Sequence, residues 1–231
     1  MNYHQPDFYH FTEDSIILAA HVSDILTKII TKKNNPPYSS SYIFSILDVC
    51  AGCGIVGIET LIKFHSSQAQ TTTQFSQVPT FKLDFIELLF DFHPFIEKNV
   101  QQLPNYNINL QSTVCILGLF QEVMIANKKT PYDCIVANPP YFIANKNRLS
   151  KLNPKKNNCR FFLNGNLNDL ILFFDNCLKE NGNGFFLCHK DNIDLIQTKK
   201  NPMLNKISSK LEIVKSFNDV NIVCIHKSIV D

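Results

Sequence analysis

No run of apolar residues in this chain approaches the ~18–20 needed to cross a bilayer as a helix. Nor do the first 20 residues, which include Asp7, Glu13 and Asp14, show the basic-then-apolar order of a secretory signal. Charge is scarce and balanced: 18% of residues are charged, with 22 Lys+Arg against 20 Asp+Glu for a net +2. That balance excludes a protein that coats nucleic acid through overall basicity, while leaving room for a local basic patch. An internal repeat is lacking too. What the chain does have is core material. Apolar residues make up 45% of 231, enough for one sizeable core and against global disorder. Such a core needs no disulfide staples, so the eight cysteines, most of them inside apolar runs, read as reduced small hydrophobes. The expectation is a soluble, cytoplasmic protein with no membrane partner.

Strand and helix patterns alternate along the chain. Tyr42–Val49 (YIFSILDV) predicts a strand, followed by a glycine turn and a helix in which Ile55, Val56, Ile58, Leu61, Ile62 and Phe64 recur at helical spacing. The polar stretch Ser66–Thr80 reads as a solvated insertion. Phe81–Leu88 predicts a second strand, Asp91–Leu103 a helix, and Ile108–Leu117 a third strand. Tyr132–Ala137 (YDCIVA) is a strand that stops at Asn138-Pro139-Pro140, since proline donates no ladder bond. Asp169–Leu178 predicts a helix closed by the Asn-Gly-Asn-Gly stretch, Phe185–His189 a fifth strand, and Leu211–Phe217 with Asn221–His226 a terminal hairpin. Residues 1–41, with a helix at Ser15–Ile30, form a helical lead-in to one α/β domain spanning 42–231. This order predicts a mostly parallel sheet covered on both faces.

Two stretches carry chemistry. The first is Asp48-Val49-Cys50-Ala51-Gly52-Cys53-Gly54, at the carboxyl end of the first strand, where open α/β sheets bind ligands. Gly52 and Gly54 allow close backbone approach, and the helix that follows favours a carboxylate or phosphate at its start. Glu87, at the end of the second strand, stands where an acid accepts both hydroxyls of a ribose; the alternative is a surface carboxylate. Its 33-residue distance from Gly54 exceeds the ~20 of the dinucleotide fingerprint by about the length of the polar insertion. Cys50-x-x-Cys53 also admits a redox pair or half a zinc site. Paired glycines suit a ligand cradle better than a reactive thiolate, and no other Cys or His pair completes a metal site, so no metal is expected.

The second is Asn138-Pro139-Pro140-Tyr141. Its prolines fix φ, so the Asn side-chain oxygen and the Pro139 carbonyl are placed to accept the two hydrogens of a planar amino group. Accepting both draws the nitrogen lone pair out of conjugation and aims it at an electrophile. Tyr141, with Phe142 behind it, offers a face on which a base stacks. A merely rigid strand-to-helix loop is the alternative.

On these residues the chain resembles class I S-adenosylmethionine-dependent methyltransferases, among them the amino-group N-methyltransferases with an N-P-P-Y motif. The resemblance implies a Rossmann-like fold with a mostly parallel seven-stranded sheet, helices on both faces and a C-terminal antiparallel hairpin. It implies S-adenosyl-L-methionine as cofactor, held by Asp48, Cys50, Ala51, Gly52, Gly54, Glu87, Leu88, Leu119 and Asn138. Cys50 replaces the first glycine of the D-x-G-x-G-x-G loop, a replacement that fits if φ stays below zero there. The acid that usually meets the adenine amine is missing, with Gly118 and Leu119 in its place. His10–Ala19 (HFTEDSIILA) is similar to the opening of the bacterial tRNA adenine-N6 methyltransferases that modify tRNA-Val, which implies that Thr12 and Asp14 touch the methionine portion of the cofactor. Either residue equally serves as a helix start on its own.

By this reading Asn138, Pro139, Pro140 and Tyr141 are the catalytic set. The same geometry serves adenine N6, cytosine N4, guanine N2 or a glutamine amide. Residues 141–165 carry Lys146, Arg148, Lys151, Lys155, Lys156 and Arg160 and no acid, so this segment reads as a phosphate-tracking loop or, more plainly, a solvated one. The expected partner is tRNA or another structured RNA, touched by Phe142, Lys146, Arg148, Lys155, Lys156 and Arg160. The competing substrate is the glutamine of a peptide-release factor, methylated by HemK-type enzymes that share N-P-P-Y. The oligomeric state is not legible.

Overall fold

The computed structural model describes residues 1–32, 42–70, 80–108, 110–122, 131–143, 149, 151, 153–197 and 201–228. Helix α1 (Glu13–Lys32) precedes β1 (Ile43–Val49), α2 (Ile55–Gln70), β2 (Thr80–Glu87), α3 (His93–Val100), β3 (Leu110–Ser112) and β4 (Cys115–Leu117). After these come β5 (Tyr132–Ala137), β6 (Phe142–Ile143), α4 (Pro154–Arg160), β7 (Phe161–Phe162) and α5 (Leu167–Cys177). The chain closes with β8 (Leu178–His189), β9 (Ser209–Phe217) and β10 (Val220–Lys227).

Apolar residues on both faces of the central strands force helices onto both sides of the sheet. Along β1, Phe44 and Ile46 join the core under α1, α2 and α3, whereas Leu47 and Val49 join the core under α5. The same alternation runs through β8, where Phe185 and Leu187 face one core and Phe186 and Cys188 the other. The sheet order is β3-β2-β1-β5-β8-β10-β9, with β4 also on β2. All pairings are parallel except those of β10, which lies antiparallel between β8 and β9. From β1 the chain winds outward through β2, then returns to β5 on the other side. That reversal opens a crevice above the carboxyl ends of β1 and β5.

Three expectations need correction. The sheet has eight strands rather than seven, because the edge strand expected over Ile108–Leu117 is broken into β3 and β4. At the break, Thr113 Oγ1 donates to the Leu83 carbonyl (2.6 Å) and the Val114 amide to Asp84 Oδ1 (3.0 Å), so a side chain on each strand replaces ladder bonds. The Asn-Gly-Asn-Gly stretch does not stop a helix: the chain passes from α5 straight into β8, and these residues form an irregular part of that strand. A Cβ at Gly184 would stand 2.2 Å from Phe174 and 2.5 Å from Ile225, so this glycine lets α5 and β10 approach the strand. Finally, the first residues of the predicted polar insertion are helical. Ser66 and Ser67 donate their hydroxyls back to the Ile62 and Phe64 carbonyls, and α2 runs on to Gln70. Among the described residues no helix is long and apolar enough to cross a membrane.

Candidate active site

The two stretches singled out in the sequence meet in one crevice. A cavity of about 240 Å³ lies between them, lined by Cys50, Ala51, Gly52, Glu87, Leu88, Leu119, Asn138, Pro139, Pro140, Tyr141 and Phe142. Thr12, Asp14 and Ser15 close it from the start of α1, and Asn158, Cys159 and Arg160 from α4. Asp48 and Gly54 are absent from this lining and shape the turn from beneath.

Beneath the cavity Asp48 is fully buried and accepts the Gly57 amide through Oδ2 at 2.9 Å, while its Oδ1 has no partner. Burial raises its carboxyl well above the ordinary range; the Gly57 bond opposes this and the charge of Glu87 adds to it. Gly57 itself is glycine because an added Cβ would meet Leu83 at 2.8 Å and Asp48 at 3.2 Å. Above Asp48 the turn runs through left-handed backbone at Cys50 (φ 56°), Gly52 (φ 54°) and Gly54 (φ 80°). The condition on which Cys50 would fit the first glycine's place without strain, a φ below zero, is not met. Its side chain sits in a conformation that costs an L-residue roughly 1–2 kcal/mol.

Glu87, only 7% exposed, ties the turn to β2. Its Oε2 accepts the Gly52 amide (2.7 Å) and its Oε1 the Leu89 amide (2.8 Å). Burial pushes its carboxyl above the usual value, partly offset by those backbone donors. The surface-carboxylate reading of Glu87 is excluded by this burial. Burial likewise pushes the thiols of Cys53 and Cys159 up to about 12 and that of Cys50 further. Thiols held protonated by burial are poor nucleophiles for redox exchange. All eight cysteines are unpaired with one another.

Across the cavity the N-P-P-Y turn is held from three sides. Asn138 donates from Nδ2 to Ser15 Oγ (2.9 Å), Tyr141 donates its hydroxyl to Asp14 Oδ2 (3.2 Å), and Asn192 donates to the Tyr141 carbonyl (2.7 Å). Burial first, and the Asp14 carboxylate second, hold the Tyr141 phenol firmly protonated. The Asn138 amide thus keeps Oδ1 as an acceptor, as the expected chemistry demands. Ser15, Gly57 and Asn192 were not singled out from sequence. Their partners lie 123, 9 and 51 residues away, beyond any local pattern.

The basic segment divides. Lys146 and Arg148 lie outside the described residues. Lys155 pairs with Asp91 and sits over the Phe8 ring at 5.6 Å, so it clamps the N-terminal stretch to the sheet rather than standing free. Lys156 is exposed, and its backbone amide donates to Asn153 Oδ1. Arg160, also exposed, stands at the cavity wall 5.9 Å from the Phe142 ring and 5.8 Å from that of Phe161.

No protein-family profile and no curated protein sequence matches the chain. Solved structures do match in fold. A precorrin-6y C5,15-methyltransferase from Geobacter metallireducens aligns over 98% of this chain and 94% of its own (TM-score 0.51, 13% identity). A Listeria monocytogenes protein assigned to the class I S-adenosylmethionine-dependent methyltransferases aligns over 99% and 64% (TM-score 0.55, 14% identity). The M protein of the type I restriction enzyme EcoKI aligns over 97% and 45% (TM-score 0.55, 13% identity). The chain thus spans less than two thirds of the last two. These likenesses show the fold: a Rossmann-like sheet of the class I methyltransferase type.

Proposed function

We propose that this protein is an S-adenosylmethionine-dependent N-methyltransferase acting on the N6 amine of adenine in a structured RNA, tRNA foremost. The observation that carries this reading is the shared cavity. Its floor is a left-handed glycine turn tied to a buried carboxylate, and its opposite wall is the proline-stiffened Asn138–Tyr141 turn. The floor fits the cofactor: Gly52 leaves space that a side chain would take, and Glu87 retains lone pairs beside its two backbone bonds for ribose hydroxyls.

Cys50, Ala51, Gly52, Glu87, Leu88 and Leu119 would hold the cofactor on the turn that Asp48 and Gly54 shape from beneath, with Thr12 and Asp14 at its methionine end. When bound, S-adenosylmethionine supplies a methyl group on a positively charged sulfonium. The remaining chemistry belongs to the chain. Asn138 Oδ1 and the Pro139 carbonyl accept the two amine hydrogens and turn the lone pair toward the floor. Tyr141 stacks on the base, worth ~1–3 kcal/mol for a single-stranded base. Orientation is the main device, since misplacement by an ångström costs on the order of 100-fold in rate. A methylated amine on an sp2 carbon sheds its extra proton readily, so no general base is needed.

A nucleic-acid substrate is favoured over a protein one by the sequence of residues 141–165, which holds six cations and no acid, and by the Arg160 guanidinium beside Phe142 and Phe161 at the cavity wall. Incubation with methyl-labelled cofactor and either total tRNA or a peptide-release factor tests the reading. Label is expected in the tRNA; label confined to the release factor gives the HemK-type reading instead.

A further inference from the structure

Two consecutive residues in the first turn of α1 grip the two functional ends of the N-P-P-Y turn. Asp14 takes the Tyr141 hydroxyl, and Ser15, 1% exposed, takes an Asn138 amide hydrogen at 2.9 Å. An asparagine amide can turn by half a revolution, exchanging its oxygen for its nitrogen, and the two atoms are nearly the same size. Only the oxygen accepts from an incoming amine. The nitrogen in that place would donate against the donors of the substrate and orient nothing. A serine hydroxyl can bond either half of an amide, so Ser15 does not choose between them; its bond to the NH2 half holds the amide plane still and leaves Oδ1 free of that contact.

We propose that Ser15 is a positioning residue for amine methylation: by accepting from Asn138 Nδ2 it holds the amide plane, so that Oδ1 stays available to the acceptor amine. The inference rests on the methyltransferase reading above. It also gives the start of α1 a task distinct from cofactor contact, since Ser15 acts on the substrate side through Asn138.

Ser15→Ala removes one hydroxyl from a buried site and leaves the helix start intact, so the variant should fold with Tm lowered by no more than the few degrees that one lost buried hydrogen bond costs. With tRNA as acceptor, kcat should fall about tenfold, within the ~100-fold range known for misorientation. KM and the calorimetric Kd for S-adenosylmethionine should move less than twofold. Ser15→Thr, which keeps the hydroxyl, should recover most of the lost rate. Wild-type kcat in Ser15→Ala overturns the inference while leaving the methyltransferase reading intact. So does a loss matched by weaker cofactor binding, or a folded Ser15→Thr protein as slow as Ser15→Ala. Failure of the wild-type chain to methylate any amine removes the reading itself, and this inference with it.

Discussion

The two ends of the sheet treat their carboxylates in opposite ways. At the amino end of β5, Asp133 is saturated: it accepts from Tyr42 through Oδ1, and from the Ser45 amide (2.8 Å), the Ser45 hydroxyl (2.7 Å) and Lys179 (2.7 Å) through Oδ2. At the carboxyl end of β1, among the described residues, Asp48 has one backbone bond, an orphan oxygen and no cation, and Glu87 is buried nearby on backbone amides. One end is closed chemistry that ties β1 to β5 and β8. The other holds one costly acid, Glu87, against a cavity and a second, Asp48, incompletely met beneath it. A fold keeps such acids where a ligand uses them, and it keeps them at the end of the sheet where strand order reverses.

Substitutions at the two ends should therefore separate activity from stability. Asn138→Ala, at the functional end, should cut methylation by at least about 100-fold, the range for losing one positioned polar group. Tm and cofactor affinity should stay near wild type by calorimetry. At the other end Asp133→Asn should cost about 2 kcal/mol in urea unfolding, because Lys179 loses its partner and fewer lone pairs serve Ser45. Asp48→Asn should cost under about 1 kcal/mol, since a neutral amide relieves a buried charge. Equal losses at both positions would erase the contrast between the ends.

Glu87 sharpens it through pH. Its carboxyl is raised by burial, so the folded protein takes up this proton at a higher pH than an exposed glutamate does. The charged form accepts the Gly52 and Leu89 amides and the ribose, so cofactor affinity should weaken as pH falls through that raised value. Glu87→Gln should bind about tenfold more weakly at neutral pH, roughly the 1.4 kcal/mol of one charge-assisted bond, and flatten the acid limb in calorimetric titrations. The smallest effect concerns Cys50. Cys50→Gly relieves the left-handed strain but loosens the unfolded chain, for a net gain of about 0.5 kcal/mol by thermal unfolding.

Much of the functional end was legible in the sequence because its signals are local. A buried strand ending in Asp48, glycines two and four residues after Cys50, and two prolines after Asn138 each mark a position without reference to the rest of the chain. What escaped is what depends on packing across the fold. Gly184 resembles a helix stop, yet it is a glycine because Phe174 and Ile225 leave no space for a Cβ. Thr113 and Val114 look like strand residues, but Leu83 and Asp84 draw them out of the ladder. Lys155 was legible as one cation of a basic segment, but its pairing with Asp91 and its place over Phe8 were not. Ser15 was visible only as part of a helix start, since its partner lies 123 residues away.

Nucleoside analysis of tRNA after incubation with the purified protein and methyl-labelled S-adenosylmethionine tests the shared cavity most directly. The account predicts label in N6-methyladenosine with the wild-type chain and none above background with Asn138→Ala. Label in a carbon- or oxygen-methylated product, or transfer that survives Asn138→Ala undiminished, would contradict it.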